Sequence, residues 1–533
     1  MNNKLGYIHQ IRDQKYYIEI LMYNQIEGEK PLSVPFFFID SLMIEESLQN
    51  WPTTGYIVLN TSFEIFSRGN STEFSTENSS IKKVKAPYID RTDGRNKIAI
   101  RILPLASEND KVQEKNSLFP KDKWEMSFDF VVTDVQDLPT PNAQIKKRKY
   151  IFIDERYQIL KERNLEWSSA NLAVKLNNTN KKPYELTDAE KSINPNQLLK
   201  ELIKIAGTNP NPNFDSNSIL NVGFKEGENI DTPSIPFASF DDNWDSGHSN
   251  NKIPYHTSAS YSALDDMYNI LPYCVASDGG PVILDFGRHT EDKKWHLVPV
   301  LKYFEDSSGK QIERLILEAS SGFDEKNKPH VSRGPTDTGD VMSPIASRIQ
   351  KYYFSPMVAS DDNRITNSGI SYYDHSTGSF HIKVKNNTAD SVIQTLEKYA
   401  KGGLYSFTKG RDAQILLNLN KTKQSGLMFE TKQSYNGSFV YEDIKRNEMI
   451  LDSIFLNQSI CFQAYGLTIR SPGRFIFIDR MDYDSNPFDD RFFGQWLITK
   501  VSHLFTQETY ITEVVAVKID SFDKVWNKKD TNF

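Results

Sequence analysis

The sequence predicts a mainly β chain with α+β insertions and a barrel-like β region at each end. Three observations carry that expectation. Apolar and polar residues alternate with a period of two through much of residues 1–165. The same alternation returns over residues 404–525. Between them, apolar residues recur at helical spacing in short runs broken by Asn, Asp, Ser and Pro. Length fits this division, because 533 residues exceed one hydrophobic core and imply roughly three or four domains. A hydrophobic fraction of 38% suffices for packed cores and excludes a disordered chain.

The N-terminal β region, 1–165, is built from six predicted strands. Residues 15–22 are rich in Tyr and Ile, 34–44 contain Phe36, Phe37 and Phe38, and 55–66 are another apolar run. Ile98, Ile100 and Ile102 alternate with Lys97, Ala99 and Arg101. Met126, Phe128, Phe130 and Val132 alternate with Ser127, Asp129 and Val131, and residues 150–153 follow. A period of two turns one strand face to a core and the other to a wetter surface. Six such strands with little helix predict a closed or nearly closed barrel, which removes free edges.

An α+β middle domain spans 166–335. Asn194 and Pro195 suit a helix start, as cap and first helical residue, and Leu198, Leu199, Leu202, Ile203 and Ala206 follow at helical spacing up to Gly207. Residues 208–257 read as long polar loops. A second helix is predicted over 262–271, with Ala263, Met267, Ile270 and Leu271 on one side and Pro272 beyond it. A strand at 273–276, a turn around Asp278 and Gly279, and a strand at 282–286 then form a hairpin. Residues 296–304 and 311–319 form a second strand pair around Gly309. Residues 320–340 read as a polar linker, and 336–403 as linker and helical segment, with helices from Ser343 and over 387–400. The C-terminal β region, 404–533, closes the chain with strands at 459–469, 473–479, 495–504 and 509–518.

The net charge of −7 does not favour a phosphate backbone as partner. The densest basic run, Lys146, Lys147, Arg148 and Lys149, reads as a solvated strand entrance. Two cysteines, Cys274 and Cys461, make no disulfide framework and point to a reducing compartment. No signal peptide and no run of about 20 apolar residues is visible. No phosphate loop, dinucleotide fingerprint, HExxH or CxxC stands in the sequence, so neither cofactor nor catalytic residue is assigned. Asp241, Asp242, Asp245, His248 and His256 match no metal-ligand spacing. Asp482, Asp484, Asp489 and Asp490 lack the Gly and alternation of a Ca²⁺ loop and read as a charged hairpin loop. The pair Glu45 and Glu46 would need to flank a cleft to do glycosidase chemistry.

The C-terminal stretch is the most specific. Pro472-Gly473 makes a tight turn, and the strand after the charged loop carries Gly494, Trp496, Ile498, Val501, His503 and Phe505. Tyr510 and Thr512 open the last strand. This order resembles the end of phage tail hub proteins and of the related spike-base proteins of type VI secretion. The helix and hairpin over 262–286 are similar to that family's middle unit, and 36–60 to the start of its tube-like barrel. The ten positions from Pro472 to Thr512 are structural in such a reading, and His503 is an interior or interface residue.

The resemblance implies two tail-tube-like β-barrel domains flanking mixed α+β middle domains. It implies a homotrimeric, non-enzymatic baseplate hub that adapts a sixfold tail tube to a threefold spike. Expected partners are the tail tube protein, the central spike protein, baseplate wedge or other tail proteins, and DNA passing through the lumen without specific binding. The expected location is the virion tail, after assembly in the host cytoplasm and without membrane insertion. The hub of a contractile injection or type VI-like machine is an alternative. So are a tail-associated carbohydrate-active enzyme and a glycan-binding adhesin, since abundant Tyr and Phe suit sugar platforms as well as cores.

Overall fold

The computed structural model describes residues 6–11, 14–24, 32–48, 52–60, 71–73, 82–84, 96–105, 126–141, 146–162, 168–176, 180–199, 202, 255, 261–274, 276, 280–285, 296–305, 311–318, 330–333, 351–355, 370–374, 379–383, 447, 450–451, 454–455, 458–480 and 494–518. Its chain is mainly β, organised around one large, mostly antiparallel sheet.

The N-terminal part supplies β1 (Tyr7–Ile11), β2 (Gln14–Asn24), β3 (Leu32–Ser33), β4 (Ile39–Ser47), β5 (Thr54–Asn60), β6 (Ser71–Glu73) and β7 (Lys82–Val84). It continues with β8 (Asn96–Leu105), β9 (Met126–Leu138) and β10 (Lys147–Asp154). Their spatial order is β1-β2-β8-β9-β10-β5-β4, with β3 paired to β2 and β6 to β7 as a separate hairpin. Inward residues from these strands, among them Ile18, Ile20, Ile44, Ile57, Ile98, Ile100, Phe130 and Phe152, form one buried cluster. The alternation expected for β8 is present, and burying Ile98, Ile100 and Ile102 stabilises the sheet by about 2 kcal/mol each. Residues 34–44 are not one strand. Pro35 leads into a 3₁₀ turn over Phe36–Phe38, and β4 starts only at Ile39, because Pro35 has no N–H to give a ladder.

After β10 the chain turns directly into a helix, Glu155–Glu162, which the strand-rich pattern did not predict. It belongs to a helical body with Ser169–Leu176, residues 195–199 and Ala263–Ile270. Leu160, Leu172, Leu198, Leu199, Leu202, Met267 and Ile270 make its core. The cap expected at Asn194 forms, and Ser262 adds a capping box that was not expected. Asn194 Oδ1 accepts from the Asn196 N–H at 2.9 Å, and Ser262 Oγ accepts from the Asp265 N–H at 3.2 Å while Asp265 Oδ2 takes the Ser262 N–H at 2.9 Å.

The expected middle hairpins form differently. Leu271–Tyr273 is a 3₁₀ turn, and β11 (Val282–Asp285) pairs with β12 (His296–Pro299). A short helix, Lys302–Glu305, follows β12, and β13 (Gln311–Glu318) instead runs parallel to a C-terminal strand. Strands also occupy stretches read as linker or helix: β14 (His330–Arg333), β15 (Lys351–Ser355), β16 (Ile370–Asp374) and β17 (Ser379–Lys383). The helices expected from Ser343 and over 387–400 lie outside the described residues.

The C-terminal strands are β18 (Gln458–Tyr465), β19 (Phe475–Arg480), β20 (Gly494–Thr506) and β21 (Tyr510–Lys518). One path runs β15-β18-β21-β20, and the other leaves β20 through β19, β13 and β14. The strand β20 also pairs with β4, so the N-terminal and C-terminal strands belong to one sheet.

Candidate functional site

All ten motif positions gather on and around β20. Gly473 and Gly494 both have positive φ, 82° and 107°, where a side chain would be disfavoured. Gly473 donates its N–H to the Ile498 carbonyl at 2.9 Å, and the Ile498 N–H reaches the Arg474 carbonyl at 2.8 Å. The buried turn after Pro472 thus extends the β19–β20 ladder.

Along one edge, β20 pairs with β21 from Leu497 to Phe505. Its other edge changes partner midway, from β19 over 494–497 to β4 over 500–506. A β-bulge marks the change, since Ile498 faces Ala516 and Lys500 faces Val515, leaving Thr499 as the extra residue. The Thr499 carbonyl accepts the Leu48 N–H at 2.8 Å, where β4 has just ended. One extra residue reverses the alternation of faces. Trp496 and Ile498 before it and Val501, His503 and Phe505 after it therefore share a side. The first three pack in the C-terminal core, and Phe505 packs in the N-terminal one.

Polar groups cluster at the crossing. His503 is fully buried. Its Nδ1 lies 2.7 Å from Tyr510 Oη, and its Nε2 lies 3.2 Å from Oε1 of buried Glu46. The Tyr510 ring stacks on Phe505 with centroids 3.9 Å apart. Gly466 donates its N–H to the Tyr510 carbonyl at 2.8 Å, and a Cβ on Gly466 would meet the Tyr510 ring at 2.2 Å. Arg470 is also fully buried, with Nη1 donating to the Tyr465 carbonyl at 2.6 Å and to Thr512 Oγ1. The Lys518 ammonium lies 5.3 Å from the Trp496 ring centroid. Buried polar groups persist when paired, and such networks fix one register over its neighbours. This arrangement holds strands together; closed off from solvent, His503 is not placed to meet a substrate.

The other sequence candidates take ordinary roles. Glu45 and Glu46 point to opposite sides of β4, Glu45 to Lys500 at 2.9 Å and Glu46 to His503, so they do not flank a cleft. The basic run stands at the entrance of β10, with Lys146 before the strand and the next three residues opening it: Lys147 meets Asp40 at 2.9 Å, Arg148 meets Asp137 at 2.6 Å, and Lys149 lies over the Tyr56 ring. Cys274 is buried and Cys461 half-buried, and burial pushes both thiols up. The Asp241–His256 and Asp482–Asp490 clusters lie outside the described residues. Among the described residues no group of three His, Cys, Asp or Glu side chains is placed to hold a metal. Sequence reading named Glu46 only as half of a carboxylate pair, not as the partner of His503, and did not find Gly466, Arg470 or Thr499. One signal existed for Thr499: two spacers rather than one separate Ile498 from Val501.

No family model matches the chain, and no curated protein matches it. Solved structures do. The tail protein from Neisseria meningitidis MC58 is 6% identical with a TM-score of 0.40, over 94% of this chain and 96% of that one. The 43 kDa tail protein of prophage MuSo2 from Shewanella oneidensis is 7% identical with a TM-score of 0.39, over 94% and 96%. An E. coli type VI secretion component, described as similar to bacteriophage tail proteins, is 8% identical with a TM-score of 0.32, over 91% and 76%. The chain is similar to tail and type VI secretion components.

Proposed function

We propose that this chain is a structural hub subunit of a phage-type tail baseplate, acting by assembly rather than by catalysis. The observation that carries the reading is the course of β20. The strand bearing the hub-like motif joins an N-terminal and a C-terminal β region into one sheet. A subunit that passes axial load from a tube to a spike needs two such regions held rigidly, and a shared strand does that without a flexible linker. The motif residues Trp496, Ile498, Val501, His503 and Phe505 lie in the interior, which suits a role in holding the sheet together.

In this reading three chains form a ring. Each contributes two tube-like β regions, giving a pseudo-sixfold face toward the tail tube and a threefold face toward the spike. A net charge of −7 per chain makes such a ring acidic and suits a channel through which DNA slides without sticking. Light scattering on the purified chain, alone and with its spike protein, tests this. A mass about three times the 61.3 kDa of the chain is expected. A hexamer would mean one tube-like region per chain, and a monomer under every condition would remove the hub reading.

A further inference from the structure

The joined sheet has a second face, turned away from both cores, that the hub reading does not use. Register carries one row of residues straight across it. Tyr465 on β18 stands opposite Ile511 on β21, Ile511 opposite Leu504 on β20, and Leu504 opposite Met43 on β4. Met43 in turn stands opposite Tyr56 on β5, and Tyr56 opposite Ile151 on β10. Cross-strand partners share a face, and their neighbours along the strands, such as Leu42, Ile57, Phe152 and Phe505, point into the core. All six members of the row are half-buried. The apolar band is narrow. Gln463, Glu513, Ser502, Glu45 and Thr54 form the next row on one side. On the other side stand Thr506 and Ser41, and the Lys149 ammonium lies 4.1 Å from the Tyr56 ring centroid.

An acid stands near each end of the band. Asp134 on β9 continues the row opposite Ile151, and exposed Glu513 lies two residues from Ile511 on the same face. Glu45 is held by Lys500 at 2.9 Å. Asp134 accepts from the Val135 N–H at 2.8 Å and from Gln136 Nε2 at 2.7 Å, and Glu513 lies 4.0 Å from the Cys461 sulfur. Among the described residues neither Asp134 nor Glu513 has a cation as ion-pair partner. The path from β9 through β10, β5, β4 and β20 to β21 separates them by five strand spacings, about 24 Å. A second copy of this face would set carboxylates against carboxylates. A helix of about 16 residues covers the same span and offers one apolar stripe. We propose that this face docks an amphipathic helix of another protein, with its apolar stripe along the row from Tyr465 to Ile151 and a basic residue at each end for Glu513 and Asp134. The face belongs to a single chain, so the docking does not depend on the ring.

The probe is a labelled synthetic peptide of about 18 residues, with leucine along one helical face, arginine in the first and last turns, and alanine or glutamine elsewhere. Fluorescence anisotropy with the full chain should show saturable binding. Leu504→Ser, which trims the middle of the row, should weaken it about tenfold. A peptide with glutamate in place of arginine should bind about tenfold more weakly than the basic one, and should recover on a chain carrying both Asp134→Lys and Glu513→Lys. Circular dichroism melts check that each variant keeps its fold. If Leu504→Ser melts early, the charge exchange at two surface positions carries the test alone. No binding of the basic peptide, equal affinity in a folded Leu504→Ser chain, or equal affinity for the two peptides would each overturn the proposal. So would self-association of the chain that the basic peptide reverses, which would make a second copy the occupant.

Discussion

The strands β8 and β20 are built for different tasks. The first has the same two neighbours for most of its length, β2 and β9, and one inward face. Its three buried isoleucines alternate without interruption. The second has three neighbours, changes one of them midway, and presents a single face to two cores. It manages this by spending Thr499 as a bulge and by placing His503 where the cores meet. A strand inside one sheet needs only a period of two. A strand that joins two regions needs a break in the period at the crossing and polar groups that fix where the break falls.

Deleting Thr499 is the strongest way to break this comparison. It would send Val501, His503 and Phe505 to the wrong face while leaving composition almost untouched. The loss exceeds a typical domain stability of about 5–15 kcal/mol, so the expected result is a chain with no cooperative thermal transition by circular dichroism. A melt close to that of the natural chain would show that the bulge carries no register information. Phe505→Ala comes next, at about 3–5 kcal/mol. Because Phe505 packs with Ile100 and Phe130, hydrogen exchange should quicken in β8 and β9, far away in sequence. Trp496→Ala should instead loosen β18 and β19. Identical exchange patterns in the two variants would deny that β20 serves two cores.

Legibility in the sequence follows the same division. The strands β2, β8 and β10 were readable because their apolar residues keep a period of two. The strands β9 and β21 were readable from apolar content, even though β9 buries Phe130, Val131 and Val132 in a row and bulges at Thr133, and β21 ends buried from Ala516 to Lys518. The helix Ala263–Ile270 was readable from the helical spacing of Ala263, Met267, Ile270 and Leu271 and from Pro272 beyond them, which are local signals. The hairpin expected across 273–286 was not the one formed, because β11 and β12 find each other across an intervening stretch, and local turn chemistry does not report such pairing. The helix Glu155–Glu162 was missed because it follows a strand without a break and exposes a mostly charged surface. At the crossing, Trp496, His503 and Tyr510 stood out by residue type. Arg470 did not, and Glu46 was named only for a carboxylate pair, because a charged residue, in β4 or in the turn between β18 and β19, reads as solvent-facing until its partners are known.

Arg470→Met sharpens the polar side of the comparison. Methionine fills much of the space but leaves the Tyr465 carbonyl and Thr512 hydroxyl without Arg470 as partner, at about 1–3 kcal/mol. Urea unfolding should show that drop in midpoint with an unchanged slope. A neutral or stabilising outcome would mean the buried guanidinium costs as much in desolvation as its hydrogen bonds return.

The smallest effect is expected at the basic run of β10, and it separates charge at the surface from charge at the crossing. Lys147 reaches Asp40 across the intervening β5, but the two side chains are 30% and 50% exposed. Water screens the pair and each long side chain loses freedom on forming it, so Lys147→Ala should cost less than about 1 kcal/mol. The melting temperature should fall by no more than about 4 °C, and less still at high salt. A loss as large as that of Arg470→Met would mean that the tie from β10 to β4 braces the sheet beside the crossing. Register would then be held by a ladder of charges on the outside as well as by the polar cluster within.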